Sequence, residues 1–343
     1  MEMEIFTPSL YFPNVSTAAT LTDKEFHDRS FDLFQIIAIT IHSIICILGI
    51  VGNGLVIWII GFKMEKTATL IWFLNLGISD FSFCLFLSFS MLQGALPYNW
   101  LLGWIMCKTW AFNLYLNLST SVLFLLIISI DRCICVLYPI WAKIHRTARL
   151  ASVTSVIIWI ISVALNFPYF IIHDYREYEN WPSCSPEFDR ETRIRNYKAM
   201  IMTKFVSMFL IPFSIMLVCY GLIAFRVKSS RIPGSGRTLK IIFTIVICFF
   251  FCWIPFHIIH MIDYADIDIG YPCSAIFYTL AESLAFFNSC LNPIIYVFIG
   301  RDFKKSLRKS ILFLLESTFR ESNDPPEMLN KKVSETEKLA SCV

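Results

Sequence analysis

The chain has 343 residues, of which 56% are hydrophobic and 16% charged, with a formal net charge of +3 and a mean hydropathy of +0.62. A soluble domain of this size carries about 25% charged residues, so the composition excludes a water-soluble globular protein and points to a membrane. With so small a net charge and no basic block interleaved with aromatics in a polar context, the sequence carries no nucleic-acid footprint.

In chain order, the first 32 residues are polar and acidic, with no basic leader or early apolar core, and do not read as a cleavable signal. Seven long apolar runs follow, over Leu33–Phe62, Thr67–Gly94, Trp104–Leu137, Leu150–Ile172, Lys198–Phe225, Leu239–Ile262 and Ser274–Gly300. Each reaches the roughly 20 residues that cross a hydrocarbon core. A backbone in lipid must satisfy its own hydrogen bonds, so each run is expected to be a helix. The connectors carrying Lys63 and Lys66, then Lys143, Arg146 and Arg149, then Arg226 to Lys240, are basic, as is Arg301–Lys309. The positive-inside rule places them in the cytoplasm and the N-terminus outside, at the plasma membrane. Asn14-Val15-Ser16 is then an outward-facing glycosylation acceptor at Asn14.

Beyond the seventh run, Phe303, Leu307, Ile311 and Leu314 recur at helical spacing between basic residues, the pattern of an amphipathic helix on an anionic leaflet. The polar remainder, with Ser317, Thr318, Ser322, Ser334, Thr336 and Ser341, reads as disordered. The expected organisation is an extracellular tail (1–32), a seven-helix transmembrane domain (33–300), an amphipathic eighth helix (301–315) and a cytoplasmic tail (316–343). The fold class is an all-α membrane protein.

Of the twelve cysteines, Cys46, Cys84, Cys219, Cys248, Cys252 and Cys290 fall inside apolar runs, where cysteine acts as a small hydrophobe. Cys107, Cys184 and Cys273 lie in or beside the outer connectors, and no spacing resembles a zinc site. The charged residues deep in the runs are Asp80, Lys204 and Glu282, and each is costly in lipid unless it serves a purpose. Asp80 could be a buried, hydrogen-bonded acid. Lys204 could snorkel to the surface or pair with Glu282, or both could face a pocket lined by Tyr115, Phe256 and Trp253. Asp131–Arg132 closes the third run, where a cation complements the helix dipole. His42, His257 and His260 have neither a nucleophile nor metal-ligand spacing beside them, so no enzyme is read here.

GNGLVIW from Gly52, LNLGISD ending at Asp80, Cys107, Asp131–Arg132, Trp159, Pro212, Tyr220, CWIP from Cys252 to Pro255 and NPIIY from Asn292 to Tyr296 occur in order, each on the expected run. Over its transmembrane length the chain resembles the rhodopsin-like G-protein-coupled receptors. DRCICVLYPIWAKIHRTAR and LAFFNSCLNPIIYVFIGRDFKKSL look like the chemoattractant group: formyl-peptide, chemerin, anaphylatoxin and type-2 prostaglandin D receptors.

That resemblance implies a Cys107–Cys184 disulfide and a sodium ion held by Asp80, Asn117, Ser121, Asn288 and Asn292, with Ser289 beside it; no other cofactor is expected. It implies G-protein contact through Arg132, restrained by Asp131, and movement about Trp253 and Pro255 in the sixth helix. Tyr220 and Tyr296, with Asn292 and Pro293, would take part in activation. Cys133 replaces the tyrosine usual after the Asp–Arg pair, and no acid lies between Arg226 and Phe251 to hold Arg132 a second time. A loosely held Arg132 and appreciable basal signalling are therefore expected. Lys204 matches the position where prostaglandin and some peptide members meet a carboxylate. His173 stands where the prostaglandin member has arginine, Phe256 where it has tyrosine, and Tyr115 where formyl-peptide receptors have an acid.

The expected function is reception of an extracellular peptide or lipid acid and signalling through a heterotrimeric G protein of the inhibitory class, with arrestin and receptor kinases acting on the Ser/Thr tail. A prostaglandin D receptor-like lipid receptor and a non-signalling decoy are the alternatives within this family. A transporter or channel is the alternative outside it, and it would need a continuous polar path.

Overall fold

A computed structural model describes residues 21–95, 103–178, 181–186, 193–230, 236–267, 269–270, 273–299 and 307–308. Asn14, most of the segment read as the eighth helix, and the Ser/Thr tail lie outside the described residues.

The apolar runs are helices, as backbone hydrogen bonding in lipid requires. They are α1 (Leu21–Phe62), α2 (Ala68–Ala95), α3 (Gly103–Leu137), α5 (Ala148–Ile172), α6 with α7 (Arg193–Phe205 and Ile211–Ser230), α8 (Gly236–Tyr264) and α9 (Cys273–Ile299), with a short α4 (Pro139–His145) between α3 and α5. Among the described residues six spans pass on length and apolar composition together. The seventh, α9, has 27 residues, about 40 Å of helix, and its apolar run is interrupted by Glu282, Asn288, Ser289 and Asn292.

Three features depart from the sequence expectation. Helix α1 begins at Leu21 rather than Leu33, because the polar stretch ahead of the apolar run continues the same helix. The fifth span is interrupted by a π-helical turn over Val206–Leu210, joining α6 to α7 just ahead of Pro212. A π turn widens the helix by one residue, and a proline that cannot donate favours such a break. Between α5 and α6 an antiparallel hairpin forms from β1 (His173–Tyr178) and β2 (Trp181–Pro186), with Tyr175 opposite Cys184.

Helix α3 is the post of the bundle, meeting α2, α5, α7, α8 and β1. Lipid gives helices no hydrophobic reason to associate, so small residues and buried hydrogen bonds hold them together. Asn53 Nδ2 donates to the carbonyls of Gly49 (3.0 Å) and Ser289 (2.8 Å), tying α1 to α9. Trp159 Nε1 donates to Asn75 Oδ1 at 3.0 Å, tying α5 to α2. Asn166 Nδ2 donates to Ser119 Oγ at 2.6 Å, tying α5 to α3. Apolar residues that face away from the bundle, such as Ile47, Ile160, Leu217 and Phe251, remain exposed, as a lipid-facing surface would be.

Candidate functional site

Three polar stations lie along α3. The first is near the hairpin. Lys204, two residues ahead of the π turn, is only 9% exposed. Its ammonium sits 3.7 Å from the Tyr115 ring centroid, 5.0 Å from that of Tyr169 and 5.7 Å from that of Phe256. Tyr115 and Tyr169 pack ring on ring at 4.0 Å, and the His173 ring lies 6.4 Å from Tyr169. Phe256 meets the Trp253 ring at 5.3 Å and the His260 ring at 4.3 Å. Ring faces attract a desolvated cation by about 2 kcal/mol, so Lys204 rests in an aromatic cage instead of snorkelling.

Among the described residues the ion pairs are Arg132–Asp131, Arg146–Asp131 and Lys198–Asp266. Lys204 and Glu282 are not paired with each other, although Glu282 is close enough to act electrostatically on Tyr115. Lys204 and Glu282 therefore both act on the same tyrosine without being paired to each other. Cys107, which opens the buried face of α3, is disulfide-bonded, while Cys273 is exposed and free.

The second station is mid-bundle. The Asp80 side chain is fully buried, and each of its oxygens accepts one amide hydrogen, Oδ1 from Asn117 at 3.0 Å and Oδ2 from Asn292 at 2.7 Å. Asn117 also donates to Ser79 Oγ at 3.2 Å, and Ser79 shares a 2.5 Å hydrogen bond with Thr120. Ser121 Oγ and Asn288 Nδ2 are buried without hydrogen-bond partners among the described residues, and the Ser289 hydroxyl lies close enough to act on the Asp80 carboxylate. Hydroxyl oxygens left over beside a buried carboxylate suit a hard monovalent cation. Among the described residues no group of three or more His, Cys, Asp or Glu side chains could hold a metal ion, so this donor set is of a different kind.

The third station is at the far end of α3. Arg132 Nη2 donates to Asp131 Oδ2 at 2.8 Å. Tyr220 OH lies 3.3 Å from Ser129 Oγ, while Tyr296 packs its ring 5.0 Å from Phe73. Trp253 and Pro255 sit in the interior of α8, with Trp253 also packed 6.1 Å from Phe249.

Sequence reasoning missed several residues that the fold adds. Tyr169, inside the apolar stretch PYFII, carries no charge or motif that marks it. Its signal was its place four residues before His173, whose Nδ1 lies 2.9 Å from the Tyr169 carbonyl. Thr69 and Arg146 join the Asp131–Arg132 pair. Helix α4 presents Ile140 (79% exposed), Trp141 and Ile144 outward, with Trp141 stacked on His145 at 4.5 Å.

Comparison with known proteins agrees with this layout. Residues 52–296 match the family model described as 7 transmembrane receptor (rhodopsin family). The chain is 38% identical over 287 residues to chemerin-like receptor 1 of Rattus norvegicus, covering 79% of this chain and 77% of that protein. It is 38% identical over 286 residues to chemerin-like receptor 1 of Homo sapiens, covering 79% and 77%. It is also 35% identical over 319 residues to N-formyl peptide receptor 2 of Macaca mulatta, covering 88% and 91%.

Proposed function

Because the chain belongs to the rhodopsin family of seven-transmembrane receptors, we propose that it receives an extracellular chemoattractant-type ligand bearing an anionic group, a peptide or a lipid acid, and signals through an inhibitory-class G protein. The observation that carries the ligand half is the caged Lys204. An ammonium buried against ring faces with no carboxylate partner among the described residues is a ready seat for an incoming anion, since a charge-assisted hydrogen bond is stronger than a cation–π contact. Glu282, whose charge reaches Tyr115, favours a ligand that also carries a cation. The names of the relatives, chemerin-like receptor 1 and N-formyl peptide receptor 2, favour a peptide over a prostaglandin. The test is a screen of chemoattractant peptides and lipid acids on the purified receptor in lipid discs, reading nucleotide exchange on an inhibitory G protein. Absence of exchange with arrestin still recruited would make the protein a decoy, and ion flux in liposomes sensitive to Asp80→Asn would make it a transporter.

In this reading the hairpin end is extracellular and the Arg132 end cytoplasmic, following the basic connectors. Cys107, which is disulfide-bonded, would pair with Cys184 on β2 and so tether the hairpin to α3. The exposed apolar face of α4 then lies in the cytoplasm, where water gives it no partner. We expect Ile140→Asp with Ile144→Asp to reduce G-protein activation at least tenfold while ligand binding stays unchanged, as loss of a buried apolar anchor does at an interface. Radioligand or fluorescent-ligand binding beside nucleotide exchange separates the two. Arrestin and receptor kinases would act on the Ser/Thr tail.

Asp80, Asn117, Ser121, Asn288 and Asn292 would hold a sodium ion that favours the resting receptor. Replacing choline by sodium should then raise the unfolding temperature of the wild type and leave Asp80→Asn unmoved. A salt concentration tenfold above the dissociation constant corresponds to about 1.4 kcal/mol. Equal sodium effects on the two proteins would refute the site.

A further inference from the structure

The connector between α4 and α5 sends a second guanidinium into the Asp131–Arg132 pair. Arg146, which caps the C-terminus of α4, donates from Nε to both Asp131 oxygens, at 2.8 and 3.0 Å, while Arg132 reaches only Oδ2. Both arginines also donate to the Thr69 hydroxyl, on the first turn of α2. The three side chains of the ion cluster are mostly withdrawn from solvent, Asp131 at 9%, Arg132 at 15% and Arg146 at 26% exposed. One negative charge is thus shared by two positive ones. Arg132 Nε is buried with no hydrogen-bond partner among the described residues, so this arginine does not use the two-toothed grip that guanidinium and carboxylate favour.

We propose that Arg146 is a positioning residue that loosens the resting hold of Asp131 on Arg132. It does so in two ways. It occupies the carboxylate edge that Arg132 would need for a bidentate pair, and its own charge repels the neighbouring guanidinium across a short distance. Removing Arg146 leaves one carboxylate facing one arginine, and Arg132 closes onto it. The proposal rests on the coupling role given to Arg132 above.

The experiment measures ligand-free nucleotide exchange on an inhibitory G protein by receptor in lipid discs, at matched receptor amounts. Arg146→Gln should lower basal exchange by about two- to fivefold, the range of a partly exposed ion pair. Arg146→Lys, which keeps the charge and loses the planar fork, should fall between Arg146→Gln and wild type. Asp131→Asn should raise basal exchange, and adding Arg146→Gln to it should change nothing further, since no carboxylate remains to contest. A purely structural Arg146 would lower the unfolding temperature and leave basal exchange alone, and that result overturns the proposal. So does wild-type exchange equal to receptor-free discs, or a rise in exchange with Arg146→Gln. If exchange is present and Arg132→Ala does not reduce it, the coupling role of Arg132 fails instead. If Arg132→Ala abolishes exchange and Arg146→Gln does not lower it, the positioning role alone fails.

Discussion

Replacing Lys204 with methionine should weaken any ligand that drives nucleotide exchange through this receptor by about two orders of magnitude in potency, the scale of losing one partner of a buried charge pair. Methionine keeps the length and apolar bulk that fill the space between Tyr115, Tyr169 and Phe256, so the loss isolates the charge from the packing. Concentration–response curves at matched surface expression measure it. Tyr115→Phe preserves the ring that seats the ammonium at 3.7 Å and should cost far less. Glu282→Gln belongs in the same series, because Glu282 is close enough to act electrostatically on the same tyrosine. A ligand that carries only an anion will ignore it, and a peptide that also carries a cation will not. Should a potent ligand prove indifferent to Lys204→Met, the cage is a resting place for a lysine and the binding site lies elsewhere.

Gly52→Ala should be among the most damaging single methyl additions in the molecule. A Cβ at this position would stand 2.8 Å from Pro293 Cγ and 3.1 Å from its Cβ. A proline ring cannot rotate aside as a leucine can, so α1 and α9 would have to part. Overpacking of this kind costs about 1–3 kcal/mol. The neighbour of Pro293 is Asn292, whose amide holds Asp80 at 2.7 Å, so the displacement should reach the proposed sodium site as well as the packing. Thermal unfolding of the detergent-solubilised receptor should fall by several degrees, and any sodium stabilisation should shrink with it. Gly54→Ala is the control two residues on. Its nearest contact is Phe81 Cε2 at 3.6 Å, an ordinary van der Waals distance, and alanine is the better helix former. Equal losses at both positions would point to a general intolerance of α1 and away from the Pro293 contact.

How much of this was legible in the amino-acid sequence depended on range. The spans were readable because lipid leaves so few structures open to a long apolar run. Asp80, Asn117 and Asn292 converge because each sits at a fixed place on a helix whose apolar face already sets its direction. Tyr169 was not legible. Its approach to Lys204 depends on how α5 and α6 lie against each other, and nothing local in PYFII records that. The β1–β2 hairpin escaped for a different reason. HDYREY has no apolar alternation, so its pairing is not announced by a half-buried face. Arg146 read as one more charge of a basic connector. Its partner is fifteen residues back, and only the turn made by α4 brings it to Asp131.

The missing acid at the foot of the sixth helix suggested a poorly restrained Arg132, and the structure supplies a more specific picture. Arg132 has a carboxylate and a hydroxyl within reach, but must share both with Arg146. Sequence alone counts partners for a charge; it does not count rivals.

The π turn at Val206–Leu210 has a consequence for the geometry of the whole fifth span. An α-helix advances by about 100° per residue, and a π turn carries one residue more than an α turn. Lys204 lies before that turn and Tyr220 after it. The azimuth of the lysine about the helix axis, relative to that of the tyrosine, is therefore offset from the one an unbroken α-helix would impose. A chain with the same residues and an unbroken α-helix here could aim Tyr220 at Ser129 or Lys204 at Tyr115. It could not do both.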